Sequence, residues 1–132
     1  MERKASSMPA DWSTLSLLAE ATIKKVLRSL PRDLRAEAER VPVSFETRPN
    51  QALQQDGIEP DTLGLFVGEP FSRIGTTTSP LPAQIILFLE NIWGAADGDE
   101  GEYREEVRAT LLHELGHYLG LDEIDLEERG LD

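Results

Sequence analysis

The chain has 132 residues, no cysteine, and 25 acidic against 13 basic side chains, which give it a net charge of −12. A chain of this length supports one hydrophobic core, and a hydrophobic content of 39% is typical of a globular domain. The lack of cysteine excludes disulfides and thiolate metal sites, so a metal ion can be held only by histidine and carboxylate groups. The acidic charge opposes binding to nucleic acid and to anionic membrane surfaces.

The start of the chain carries no periodic pattern. We therefore expect a disordered N-terminus over residues 1–10, followed by a single domain over residues 11–132. Residues 1–4 are followed by polar residues rather than by the apolar core of a signal peptide. No run reaches the roughly 18 apolar residues of a membrane span. A cytoplasmic protein without a membrane partner is expected.

Several segments are predicted to be helical. Apolar residues recur at three- and four-residue steps over residues 15–30, which predicts a long helix with one side in the core. Asp11 or Ser13 is expected to cap its N-terminus. Pro31 suits the first turn of a helix better than its interior, so a second, short helix is predicted over residues 31–40. Further short helical segments are predicted over residues 50–56 and 122–129.

Three segments are predicted to be strands. Residues 41–47 alternate apolar and polar side chains, which indicates one buried face. Residues 63–71 are apolar but interrupted by glycines, which predicts a short strand. Residues 83–93 form the most apolar run and favour a central strand, although their periodicity also allows a buried helix. Loops are expected over residues 72–82 and 94–101. The predicted fold class is α+β, with a small sheet of about three to four strands packed on helices.

The two histidines of the chain, His113 and His117, flank Glu114 in an H-E-x-x-H motif. Imidazoles four residues apart on a helix lie one turn apart on the same face, so both can reach one ion, with Glu114 beside them. Two histidines, one carboxylate and a water suit a catalytic zinc ion. The motif predicts a zinc-dependent peptidase in which Glu114 is the general base toward a metal-activated water. The competing interpretation is a surface helix that matches this short motif by chance.

The flanking sequence supports a helix with two distinct sides. At 100° per residue, its apolar side chains form one arc and the motif residues, with Thr110, form the adjoining arc. The helix should therefore pack by one side and present the next to a cleft. Gly120 is expected to end this helix in the left-handed conformation. The apolar arc consists of Val107, Leu111, Leu115, Tyr118 and Leu119.

A third metal ligand is expected after the helix. The spacing of metzincin peptidases, three residues beyond Gly120, falls on Glu123. Asp122 is the alternative ligand, although it is also placed to cap the acidic helix that follows.

With these residues the sequence resembles the minimal zincins, a family of short, zincin-like bacterial metallopeptidases with an HExxHxxGxx(D/E) motif. Residues 113–123 carry the specific part of the resemblance, which extends over about residues 15–128. The resemblance implies a small sheet packed on helices, Glu114 as the base, and a metal held by His113, His117 and an acidic third ligand. It does not imply a particular substrate. Supporting segments are residues 41–43, 64–70 and 85–88.

Two other functions compete with a peptidase. A metal-dependent endoribonuclease has an H-G-x-x-H-x-x-G-x-D-H motif, but here Glu114 replaces the glycine, Glu123 replaces the third histidine, and the net charge is −12. The alternative of a binding or scaffold protein, which holds the metal without catalysing a reaction, stays open because no oxyanion-stabilising group is evident in the sequence. Tyr103, Tyr118 and Arg73 are candidates for that role, although packing or solvent exposure explains each of them more simply.

The expected partner is a peptide or an unfolded protein segment. An extended peptide can add to a sheet edge and present its scissile carbonyl without a deep pocket. The candidate edges are residues 65–67 and residues 85–89.

Overall fold

The computed structural model describes residues 11–68, 82–121 and 123–128, with Glu123 described by its backbone alone. Within these residues six helices and three strands form an α+β fold, as predicted. The elements are α1 (Trp12–Ser29), α2 (Arg32–Ala38), β1 (Val43–Glu46), α3 (Gln51–Gln55), β2 (Gly64–Val67), β3 (Gln84–Phe88), α4 (Leu89–Ala95), α5 (Glu100–Leu119) and α6 (Glu123–Glu128). Several parts of the sequence predictions lie outside the described residues: the N-terminal segment 1–10, the end of the strand predicted over residues 63–71, residues 72–81 of the predicted loop, and residues 122 and 129 of the last predicted helix. None of the described helices combines the length and the apolar content that a membrane crossing requires.

The three strands form one mixed sheet in the order β1-β3-β2. β3 pairs in parallel with β1, where Val43 lies opposite Ile85, and antiparallel with β2, where Gly64 lies opposite Leu87. In the part of the chain that the structure describes, β1 and β2 are therefore the sheet edges. Residues 85–88 of one predicted docking strand belong to β3, which is the central strand. Of the two predicted docking strands, only β2 therefore lies at a sheet edge.

The prediction of a strand over residues 83–93 is wrong in its second half. β3 ends at Phe88, and the chain continues directly as α4. Leu89 and Ile92 are fully buried three residues apart, which is the spacing of one helical face. A continuous apolar run fits a buried strand and a buried helix equally well, so the boundary depends on the surrounding core.

The predicted acidic loop over residues 94–101 is shorter than expected, because helices occupy both of its ends and leave residues 96–99 as the connection. α4 extends to Ala95, and α5 begins at Glu100, two residues earlier than predicted. The Asp99 carboxylate accepts a hydrogen bond from the Glu102 N–H at 2.8 Å and caps α5. Acidic side chains here interact favourably with the positive end of the helix dipole.

The N-terminal caps follow the same local chemistry. Asp11, rather than Ser13, caps α1: its carboxylate accepts a hydrogen bond from the Thr14 N–H at 2.7 Å.

Strand β1 starts directly after Pro42. This residue cannot donate a backbone hydrogen bond, but its carbonyl accepts one from the Ile85 N–H at 2.9 Å.

α5 is the central helix of the fold. It contacts α1, α2, α4 and α6 and lies against strands β2 and β3. Its predicted apolar side is buried in the core, which fixes the direction in which the motif residues point. Of the five predicted residues, Val107, Leu111, Leu115 and Tyr118 are buried and Leu119 is partly buried, while the adjacent Leu112 is also buried.

Gly64 allows β2 to pack directly on α5. A Cβ atom at this position would lie 2.5 Å from the Thr110 Cγ2 atom and 3.3 Å from the Glu114 Cγ atom. Any side chain would therefore separate the strand from the helix at the HExxH motif. The glycine sets the distance between the edge strand and the HExxH helix.

Gly64→Ala should destabilise the protein by about 1–3 kcal/mol, because the new methyl group overlaps the Thr110 methyl group. Urea denaturation measures the change. Gly94→Ala is the matched control, since a Cβ there meets nothing within 4 Å. Thr110→Ser removes the overlapping methyl group, so the double variant should lose less stability than the sum of the single variants. Strict additivity would contradict this contact as the cause.

Candidate active site

The chain reverses immediately after the motif helix. Gly120 ends α5 in the left-handed conformation, with a φ of 75°, as predicted. The Leu121 N–H donates to the Gly116 carbonyl at 2.8 Å, which is the Schellman arrangement of a helix C-terminus. A Cβ atom on Gly116 would lie 2.9 Å from the Leu121 carbonyl oxygen and 3.4 Å from the Leu126 side chain. α6 thus folds back against the motif helix.

His113 and His117 lie side by side on α5, with ring centroids 4.7 Å apart and ring planes tilted by 56°. Both residues are exposed, whereas the opposite side of the helix is in the core. Imidazoles placed together at the surface are accessible to an ion and to a substrate. Their arrangement suits two ligands of one metal.

Glu114 differs from the histidines in being buried, with 6% of its surface exposed. It is the one charged residue buried in the described part of the chain. Its Oε1 atom lies 3.8 Å from His117 Nδ1, and its carboxylate accepts a hydrogen bond from the Phe66 backbone N–H. Burial raises the pKa of Glu114, while His117, His113 and the Phe66 hydrogen bond oppose that rise. A carboxylate with a raised pKa holds a transferred proton more readily, as a general base must.

The hydrogen bond from Phe66 joins the carboxylate to the outer edge of the sheet. Phe88 donates its N–H to the Leu63 carbonyl at 2.9 Å, which makes these two residues a hydrogen-bonded antiparallel pair. Along an antiparallel ladder, hydrogen-bonded pairs alternate with non-hydrogen-bonded pairs. The backbone N–H and carbonyl groups of Gly64 and Phe66 therefore point away from β3 and toward the outer edge of β2. The Phe66 N–H there reaches Glu114. The buried carboxylate and the edge strand are therefore adjacent.

An open cleft of about 340 Å³ lies between the start of β2 and α5. His113 and Glu114 form part of its wall, so it continues directly into the motif. We call it the active-site cleft. Its lining residues are Leu63, Gly64, Glu106, Ala109, Thr110, His113 and Glu114.

The sequence model of the zincin-like metallopeptidase family matches residues 38–131, which is more than half of the chain and includes the motif and all three described strands. The chain belongs to this family. A comparison with curated proteins finds no match. The family match confirms the resemblance that was inferred from the motif. In general class, this zincin-like protein belongs with the metallopeptidases.

The donor set of this zincin-like site fits zinc, although the described residues do not complete it. Two imidazoles from His113 and His117 and one carboxylate are ligands that zinc prefers. Asp122 lies outside the described residues, and Glu123 begins α6 with its side chain likewise outside them. Within the described residues no group of three metal-binding side chains is assembled. Glu123 is the first residue of α6, the helix that packs back onto α5.

The tyrosine candidates for oxyanion stabilisation are core residues. Tyr103 is fully buried, donates its hydroxyl to the Leu15 carbonyl at 2.9 Å, and packs edge-on against Trp93 with ring centroids 5.5 Å apart. Burial raises the pKa of Tyr103. Tyr118 is also buried and packs against Phe66, with ring centroids 6.0 Å apart. Neither lines the active-site cleft, and Arg73 lies outside the described residues.

Three features of the site were missed at the sequence level. The Phe66 N–H bond to Glu114 has no local sequence signal, since it joins residues 48 positions apart. A glycine inside a strand, such as Gly64, does indicate close approach of another element. Glu106 precedes His113 by two helical turns, so helical periodicity alone places it on the face of the histidines.

The purified protein should bind one equivalent of zinc, because its two histidines form one site. His113→Ala and His117→Ala should each abolish stoichiometric binding, as measured by elemental mass spectrometry after dialysis. Glu105→Ala on the exposed side of α5 is the control and should keep the metal. A full equivalent of zinc in either histidine variant would reject the site.

The third ligand should be Glu123. Glu123→Ala is expected to weaken zinc affinity by more than about tenfold, because even the loss of a residue that only hydrogen-bonds to a metal ligand weakens metal affinity by about that factor. Asp122→Ala should mainly reduce the stability of α6. Competition with a chromogenic chelator measures both affinities. The reverse order of effects would assign the ligand to Asp122.

Proposed function

We propose that this protein is a zinc-dependent peptidase that hydrolyses peptide bonds with Glu114 as the general base. The observation that carries the proposal is a buried carboxylate that lies between a histidine pair and the backbone of an edge strand. Membership in a metallopeptidase family supports the reaction class.

The metal would be held by His113, His117 and Glu123, with Asp122 as the alternative ligand. Zinc at that position would lower the pKa of the water bound to it and would polarise the carbonyl group of the substrate. The histidines are exposed, so the ion would face solvent and the substrate. The remaining steps belong to protein groups.

Glu114 would take a proton from the attacking water and deliver it to the leaving amine nitrogen. The water oxygen forms the new bond to the carbonyl carbon, and the carbon–nitrogen bond breaks, which yields a carboxylic acid and an amine. Two features of Glu114 support this role. Burial favours its protonated form, and the Phe66 N–H orients the carboxylate without neutralising it.

A peptide substrate would lie extended along the outer edge of β2. The backbone N–H and carbonyl of Gly64 and the carbonyl of Phe66 point to that edge, where an added strand can form hydrogen bonds, whereas the Phe66 N–H is bonded to Glu114. The same edge borders Glu114, so strand addition brings the substrate backbone next to the base. β3 cannot serve, because it is paired on both sides.

Glu114→Gln tests the proposal, since it keeps the shape of the side chain but removes the base. The variant should bind zinc normally and lose peptidase activity by about 100-fold or more. Hydrolysis of denatured casein, with and without a chelator, measures the activity. An unchanged rate would refute the role of Glu114. Zinc binding with no hydrolysis by either protein would favour the alternative of a metal-binding protein without turnover.

A further inference from the structure

We propose that Glu106 forms a subsite of the active-site cleft that selects a lysine or arginine side chain in the substrate. This inference rests on the proposed peptidase function and specifies its substrate class. Glu106 and the motif residues His113 and Glu114 line the same cleft, and Glu106 is half-buried there. Glu106 therefore lies in the wall of the cleft that also contains the motif residues, rather than on the fully exposed side of α5.

Two other acids of α5, Glu100 and Glu105, have a cation nearby, whereas Glu106 has none among the described residues. Glu100 pairs with Arg104, and Glu105 lies 3.8 Å from Arg108. Among the described residues no basic side chain pairs with Glu106. A carboxylate in a cleft with partly apolar walls attracts a cation more strongly than one on an open surface.

The walls of the cleft match the rest of a basic side chain. Leu63 and Ala109 contribute apolar surface beside the Glu106 carboxylate. Lysine and arginine combine an apolar stem with a charged end, so the stem can lie along these residues while the charge reaches Glu106. An acidic side chain would be repelled, and an aliphatic one would leave the carboxylate without a partner.

The position of the subsite relative to the scissile bond follows from the packing of β2 on α5. Gly64 lies at Thr110, while Phe66 lies at Tyr118, so strand and helix run in the same direction. Glu106 is seven residues before His113, or about 10 Å along the helix. An extended peptide advances about 3.3 Å per residue, so the basic residue is within about three positions of the scissile bond. If the peptide pairs antiparallel to β2, the more stable pairing, this residue is on the C-terminal side.

Cleavage specificity provides the first test. Peptides of alanine and threonine with one lysine, norleucine or glutamate at each position in turn are incubated with the zinc-loaded full chain, and mass spectrometry locates the cut. The lysine peptides should be cleaved with about fivefold higher kcat/KM than the norleucine peptides at one position near the bond. Glu106→Gln should remove this preference, and Glu106→Lys should shift it to glutamate.

Glu105→Gln is the matched control, because it removes the same charge from the adjacent residue on the same helix. It should leave the lysine preference unchanged. An equal loss of preference in both variants would assign the effect to the net charge of −12 and overturn the subsite. Thermal unfolding of each variant confirms that it is folded.

Binding provides a second test that does not depend on turnover. Fluorescein-labelled lysine and norleucine peptides are titrated into the zinc-loaded Glu114→Gln protein, with and without Glu106→Gln, and anisotropy is measured. Tighter binding of the lysine peptide that is lost in the Glu106→Gln variant supports the subsite. This holds even if the wild-type protein cleaves no peptide, because absence of cleavage rejects the peptidase proposal alone. Equal affinities, or no binding of either peptide, overturn the subsite.

Discussion

The close contact between β2 and α5 is the constraint on which the candidate site depends. Gly64 removes the side chain that would hold the strand away from Thr110 and Glu114. The strand then lies near enough for the Phe66 N–H to bond to the Glu114 carboxylate. One glycine thus lets the edge strand lie next to the buried acid and the histidine pair, which are far from that strand in the sequence.

Burying Glu114 is unfavourable for folding, because a desolvated carboxylate loses its hydration. The hydrogen bond from Phe66 and the proximity of the histidines offset part of this penalty, and the large apolar side of α5 supports the helix that carries the group. Functional sites commonly retain such locally unfavourable groups where the surrounding core is stable enough. The buried apolar side of α5 therefore stabilises the helix that carries Glu114 and the two histidines.

Charge is distributed unevenly along the same helix. On α5, Glu100 and Glu105 pair with arginines, whereas Glu106 faces the active-site cleft. The negative charge of the whole chain attracts cationic peptides in general, whereas the proposed subsite requires a carboxylate at one position in the cleft. The proposed specificity is therefore distinct from the effect of overall charge.

The sequence by itself determined the features that depend on neighbouring residues: the presence of the two long helices α1 and α5, the turn at Gly120 and the shared face of His113 and His117, while it limited the cap of α1 to Asp11 or Ser13. These follow from backbone hydrogen bonds and side-chain spacing within a few residues. Only the tertiary structure decided that the apolar run after Phe88 is helical, that β3 is central and β2 an edge, and that Glu114 is bonded to that edge. Each of these depends on contacts between distant segments, and a local pattern that fits a strand and a helix equally well contains no information about them.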